Sequence, residues 1–379
     1  MRERLVAFIV LSVLASCALA FAWPRQASSR VAHYEYVASA GQLFVYNIDN
    51  RWSLVGRFAL PGVDGIRGIG ASAATGMLYV SYGGFPHGIG HLLEFSLYRR
   101  KIVYRRSYPF GIDSFDISQD GQLIFMPTGE NTSGTNWHVL AATTGQVVGT
   151  IAAGRSPHDT VVGASGQHVF LGGASDRYLY EADATRPWKI VGRMGPLQPG
   201  GLPGVRPFTI NAQDTLAFTT ANRYLGFQVS DIATGRVLYT VPVPGFRIPQ
   251  MYQAVASHGI GLSPDQRYLW LVDKPNRAVH EFDISALPGK GPMLIATVHV
   301  SSPNLGWLNL SRDGRYLFVG NAGNVIDTRT RKSVATIGAL AGSRYNLEID
   351  WSGLSVCAAY PRESLGYVHV APRCSARTG

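Results

Sequence analysis

His258-Gly-Ile-Gly-Leu-Ser-Pro-Asp265, with Arg267-Tyr-Leu-Trp-Leu-Val272 behind it, reads as a short strand, a tight turn and a second, more apolar strand. The unit recurs as Trp307-Leu-Asn-Leu-Ser-Arg-Asp-Gly314 before Arg315-Tyr-Leu-Phe-Val319. It recurs again as Asp113-Ser-Phe-Asp-Ile-Ser-Gln-Asp-Gly121 before Leu123-Ile-Phe-Met126. Weaker copies begin at Arg67, His158, Arg206 and Tyr345. The equivalent first positions are Arg67, Asp113, His158, Arg206, His258, Gly306 and Tyr345, spaced by 46, 45, 48, 52, 48 and 39 residues. A period of about 40 to 50 residues with four strands per unit marks the blades of a β-propeller.

Third and fourth strands are visible too. Asp231-Ile-Ala-Thr-Gly235 joins Gly226–Ser230 to Val237–Val241, and Asp327-Thr-Arg-Thr330 precedes Ser333–Ile337. Asp at such a turn accepts from backbone N–H groups ahead of it, and Gly takes positive φ. Within the first strand, side chains alternate between faces. Ile260 and Leu262 share one face and Gly259 and Gly261 the other, a pattern repeated with Gly68 and Gly70. One small face lets adjacent blades approach closely. Asp116, Asn309 and Glu348 break this rule, as core polar groups or as parts of a site.

Seven hairpins predict an all-β, seven-bladed β-propeller, with eight blades as the lesser alternative. Tyr34–Leu60 has no first-strand hairpin, and Gln42–Ile48 and Trp52–Leu60 read as outer strands. The copy at Tyr345–Ala359 lacks a clear fourth strand. Strands from both termini are therefore expected to complete one blade and close the ring, which removes exposed sheet edges. Gly366–Val370 competes with Tyr34–Ala38 for a place in that blade.

The expected organisation is a signal peptide or N-terminal anchor over 1–22, a linker over 23–33, one propeller over 34–372 and a tail over 373–379. Arg2 and Arg4 precede the apolar stretch Leu5–Ala22, the pattern of an export signal. Three routes stay open: cleavage after Ala18-Leu19-Ala20, lipidation at Cys17 within Leu14-Ala15-Ser16-Cys17, or retention as an anchor. Each places the body outside the cytoplasm, in the periplasm, at the cell surface or secreted. Cys357 and Cys374 remain in the mature chain, paired or as two thiols.

The hydrophobic content of 46% and charged content of 15% exclude a disordered chain. The net charge of +10 is carried by short basic pairs such as those at Arg99–Lys101, with no run of five like charges. Nucleic acid is not an expected partner. The expected partners are a small anionic molecule or an extracytoplasmic protein. The membrane is met only through the N-terminal segment, and the expected state is a monomer. No phosphate loop, His-Glu-x-x-His helix or paired Cys-x-x-Cys is present, so the motifs assign neither metal nor cofactor.

Ser257-His-Gly-x-x-Leu-Ser-Pro-Asp265, and Arg315-Tyr-Leu-Phe-Val319 after Ser-Arg-Asp-Gly, resemble the repeats of the YVTN/YncE-type bacterial propellers. The resemblance spans roughly residues 34–370. Ala164-Ser-Gly166 and Trp351-Ser-Gly353 depart from it. It implies a propeller, either a binding protein or, as in the related lactonase-like group, an enzyme acting as hydrolase or lyase on a small acidic ring compound. Fold does not choose between them.

Propeller ligands sit where the inner strands open onto the central channel. There the sequence places Arg67, Asp113, His158, Arg206, His258 and Tyr345, with Asp159 and Trp307 adjoining and Glu348 deeper. Two guanidinium forks suit a carboxylate or phosphate, and two imidazoles can donate hydrogen bonds or move protons. The expected site is an anion-accepting pocket centred on Arg67, His158, Arg206 and His258. Two other arrangements stay open: a cation held by Asp113, Glu348 and the two His, or Arg67 and Arg206 simply paired with Asp113, Asp159 or Asp64.

Overall fold

The computed structural model describes residues 31–84, 88–130, 132–252 and 254–359. The proposed leader, Gly366–Val370 and Cys374 lie outside them. Seven β-sheets, each an antiparallel meander, make a seven-bladed propeller. In six blades the first strand in sequence occupies one edge, the inner edge at the channel, and the fourth strand the other. The first such blade runs Ile66–Ser72, Met77–Gly83, Gly90–Ser96 and Lys101–Tyr108.

The turns follow the chemistry expected of them. Asp231 Oδ1 accepts from Thr234 N at 2.7 Å, and Gly235 takes φ of 69°. Asp327 Oδ1 accepts from Thr330 N at 2.8 Å. The glycine face of the inner strands also does what the alternation predicts. Phe115 and Ile117 of the second blade press on Gly68 and Gly70 of the first, where an added Cβ would lie 3.0–3.1 Å from their side-chain carbons. Glycine there permits a packed inter-blade contact rather than a turn. Between blades the middle strands bury Trp270, Phe125, Phe170, Phe218 and Phe318 almost completely. Each such side chain contributes about 1.5–3 kcal/mol. The outer strand Lys101–Tyr108 is largely exposed and carries Lys101, Arg105 and Arg106, charges that discourage edge-to-edge pairing.

The seventh blade closes the ring. Its order is Ser355–Ala359, Tyr345–Ser352, Val31–Ser39, Gln42–Asn47, Ser53–Ala59. Both termini contribute, as expected, with two differences. Among the described residues pairing begins at Val31, opposite Ser352, so residues 31–33 of the presumed linker already belong to the blade. Ser355–Ala359 does not take the second place that its hairpin copies take elsewhere. Val31–Ser39 holds that place over eight paired residues, and Ser355–Ala359 is displaced to the other edge of Tyr345–Ser352 as a fifth strand. Cys357 of that strand is disulfide-bonded, with its partner outside the described residues. Among the described residues no helix is long and apolar enough to cross a membrane.

Candidate functional site

The inner strands begin at one end of the channel, and their first residues meet there. Arg67 grips Asp113 with Nη2 at 2.8 Å from both carboxylate oxygens and Nε at 3.1 Å from Oδ1. Its Nη2 also reaches Glu130 Oε1 at 2.7 Å. Glu130 Oε2 accepts from Arg206 Nη1 at 2.6 Å, and Arg206 Nε donates to Asn222 Oδ1. His158 Nδ1 lies 3.2 Å from Asp113 Oδ2. The His158 and His258 rings stand 6.3 Å apart, and His258 meets Trp307 edge to face at 5.3 Å. Asp159 is wholly buried in its blade.

Above this network lies a cavity of about 680 Å³, within the range of small-molecule pockets. Arg67, Arg206, His258 and Tyr345 line it, as do Glu130, Asn222, Arg223, Lys274 and Arg344. Leu202 and Val255, from the loops before the fourth and fifth blades, add an apolar side. Among the described residues, five basic side chains thus face a single lining carboxylate, Glu130, with Asp113 beneath it. Arg67 and Arg206 share those carboxylates, much as the simple-pairing reading held, although Glu130 stands in for Asp64 and Asp159. Among the described residues, no carboxylate lies within ion-pairing distance of Lys274 or Arg344.

The electrostatics follow from this geometry. Burial pushes the Asp113 carboxyl upward, but Arg67 and His158 outweigh it and hold the group below its ordinary range. Burial likewise opposes ionisation of Glu130, and His158, Arg67 and Arg206 overcome it, leaving the carboxyl well below the usual range. Lys274 is depressed by burial and by Arg344. His258 is depressed well below the ordinary imidazole value by burial, then by Arg344, Lys274, His158 and Arg206. It is a neutral imidazole in a cationic pocket.

A pH dependence follows. The unfolded chain protonates His258 near pH 6.5, whereas the folded chain resists it, so stability falls as pH drops below that value. His258→Gln is expected to flatten this fall between pH values of about 7.5 and 5.5, read as urea midpoints. An equal fall in wild type and variant would contradict it. Glu130 acts separately, because the stability it contributes is lost only below its unfolded value of about 4.3.

Glu348 is not part of the mouth. It follows Tyr345 by three residues along the strand, roughly 10 Å deeper at 3.3 Å per residue. There it meets His33, Arg312 and Asp350. The sequence-level option of Asp113 and Glu348 sharing one cation therefore fails on distance. Asp116, another exception on the glycine face, is a satisfied core group that accepts from Ile117 N and from Val162 N of the next blade.

Glu130, Asn222, Lys274 and Arg344 were missed by the sequence reading. In a meander the end of the second strand returns beside the start of the first. Leu123–Pro127, Leu216–Ala221 and Tyr268–Asp273 are second strands, and Glu130, Asn222 and Lys274 follow them closely. The residues just after each apolar second strand were the available signal for these three, whereas Arg344 immediately precedes the inner strand Tyr345–Ser352.

The fold and the site define a seven-bladed propeller with a basic pocket at one channel mouth. No protein-family model matches the chain, and no curated protein matches it by sequence. Solved structures share its architecture. A functionally unknown protein from Desulfotomaculum acetoxidans aligns with a TM-score of 0.63 at 13% identity, over 83% of this chain and 98% of its own. Dihydro-heme d1 dehydrogenase NirN, in complex with DHE, aligns with a TM-score of 0.57 at 13% identity, over 89% of this chain and 75% of its own. At such identity the likeness carries the fold alone.

Proposed function

We propose that this chain is an exported propeller of the YVTN/YncE kind that binds a small organic anion at the channel mouth. The observation that carries the reading is the pairing state of the cations. Arg67 and Arg206 are neutralised by Glu130 and Asp113, whereas Lys274 and Arg344 line the cavity with no ion pair among the described residues. A carboxylate or phosphate would sit between Lys274 and Arg344, with neutral His258 offering a hydrogen bond. The anion-accepting centre thus moves from the two sequence-predicted arginines to their neighbours. Leu202, Val255 and Tyr345 suit an apolar or aromatic body on the same molecule. Binding is favoured over lactonase-like or lyase-like turnover because Asp113 and Glu130, the acid–base candidates at the mouth, are locked as ion-pair partners of arginine.

The test uses mature protein recovered from the extracytoplasmic fraction of expressing cells, and its absence there would overturn the export arm. A thermal-shift screen of aromatic and aliphatic carboxylates, organic phosphates and a haem, the last because NirN was solved with DHE, should yield an anionic hit. Lys274→Ala and Arg344→Ala are each expected to weaken that hit about tenfold or more, the scale of one lost charge-assisted hydrogen bond of 1.5–3 kcal/mol. Equal binding by both variants, or turnover of a lactone abolished by His258→Ala, would replace this reading.

A further inference from the structure

The strand that closes the ring carries a second constellation. His33 stands on Val31–Ser39, while Glu348 and Asp350 stand on its neighbour Tyr345–Ser352. His33 Nδ1 lies 3.1 Å from Glu348 Oε1 and 2.7 Å from Asp350 Oδ1. One ring nitrogen thus meets two carboxylate oxygens from different residues, and the three donor atoms lie within 4.8 Å of one another. The other oxygen of each carboxylate is occupied. Arg312 N donates to Glu348 Oε2 at 2.7 Å, and Arg312 Nη1 donates to Asp350 Oδ2 at 3.0 Å. Outer hydrogen bonds of this kind orient ligating carboxylates so that the remaining oxygens converge.

A further carboxyl faces the same place. Glu35 lies two residues from His33 on the same strand face and opposite Glu348 in register. It is wholly buried, and among the described residues no hydrogen bond of normal geometry reaches either of its oxygens. The Asn309 amide offsets part of that burial. Glu348 and Asp350 therefore share Arg312 and His33, with the Glu35 carboxyl beside Glu348. His33 is 29% exposed while Glu348 and Asp350 are 1% and 0% exposed, so the group opens to solvent on its imidazole side alone.

We propose that His33 Nδ1, Glu348 Oε1 and Asp350 Oδ1 form a site for a divalent metal of the zinc class, clasping the seam where the two ends of the chain close the ring. One imidazole with two carboxylates suits Zn²⁺ better than Ca²⁺, which prefers six or more oxygens. Tetrahedral ligands about 2.0–2.1 Å from Zn²⁺ stand roughly 3.3 Å apart. The two contacts at His33 Nδ1, of 3.1 and 2.7 Å, need to open by only roughly half an ångström to accept it. Three protein ligands leave a fourth position for water on the exposed side. Because His33 and Glu348 are 315 residues apart, such an ion cross-links the chain almost end to end. An ion bound only by the closed ring stabilises that ring by mass action.

The experiment takes tag-free, chelator-stripped full chain and adds Zn²⁺ alone, followed by calorimetry and by thermal melting. One-to-one binding and a raised Tm are expected. His33→Ala and Glu348→Gln should weaken binding by about a hundredfold or more, and Arg312→Ala by about ten- to a hundredfold through the outer hydrogen bonds. If Glu348→Gln does not fold, the His33→Ala result stands alone, since His33 is partly exposed and its loss leaves the core filled. Co²⁺ in place of Zn²⁺ gives an independent reading: visible absorption bands that His33→Ala abolishes. Failure to bind Zn²⁺, or undiminished binding by His33→Ala, would overturn the clasp. Neither outcome touches the anion pocket, whose residues are different.

Discussion

Deletion of residues 31–60 is expected to abolish cooperative unfolding rather than merely lower its midpoint. Val31–Ser39 is the central strand of the closing blade and pairs with Tyr345–Ser352 over eight residues. Without it, Tyr345–Ser352, buried along nearly its whole length, keeps only the short strand Ser355–Ala359 on its other edge. The cluster formed by Tyr36, Ala38, Leu43, Val45, Leu78, Leu347 and Ile349 loses its N-terminal half. Burial of five or six such side chains at about 1.5–3 kcal/mol each matches or exceeds the 5–15 kcal/mol that holds a typical domain folded. Urea titration followed by circular dichroism provides the measurement. A variant that unfolds with unchanged midpoint and slope would show that the ring does not depend on this seam.

The second large effect is expected at Asp113. Its carboxylate is 1% exposed and accepts from Arg67, His158, Ser114 N and Glu130 N. Asp113→Ala would leave the Arg67 guanidinium, itself only 13% exposed, short of its main counter-charge. Breaking a buried pair from one side costs about 3–5 kcal/mol. The denaturation midpoint should fall by the equivalent amount at unchanged slope. Lys274→Ala, which relieves a crowd of like charges, should leave the midpoint unchanged or raise it. A small effect of Asp113→Ala would mean that Arg67 finds sufficient compensation in Glu130 alone.

The two effects divide the molecule into a frame that was legible in the sequence and a site that was legible in part. The blade count followed from a roughly 45-residue recurrence of turns rich in Ser, Asp and Gly between apolar strands. Such turns are local objects, set by φ > 0 at Gly and by Asp accepting its own downstream N–H groups. The glycine faces of Arg67–Ala71 and His258–Leu262 disclosed which side of the inner strand packs on a neighbour. The same periodicity brought Arg67, Asp113, His158, Arg206, His258 and Tyr345 to one end of the channel, because equivalent positions of equivalent blades share one height.

Periodicity could not say how charges at that height are paired. Whether Arg67 is a free fork or a neutralised one depends on Glu130, which enters from the loop after Leu123–Pro127 and lies 63 residues away. Lys274 and Arg344 are conspicuous only because, among the described residues, no carboxylate reaches them, a fact about neighbours around a ring. The closing blade shows the same division. Both ends of the chain visibly lacked strands, so closure could be read from the chain. A strand can pair on either edge, however, and only the competition between Val31–Ser39 and Ser355–Ala359 for one side of Tyr345–Ser352 decided the order. Local turn chemistry and side-chain alternation therefore wrote the architecture into the sequence, whereas ring closure, by choosing partners hundreds of residues apart, decided which charges stay unpaired.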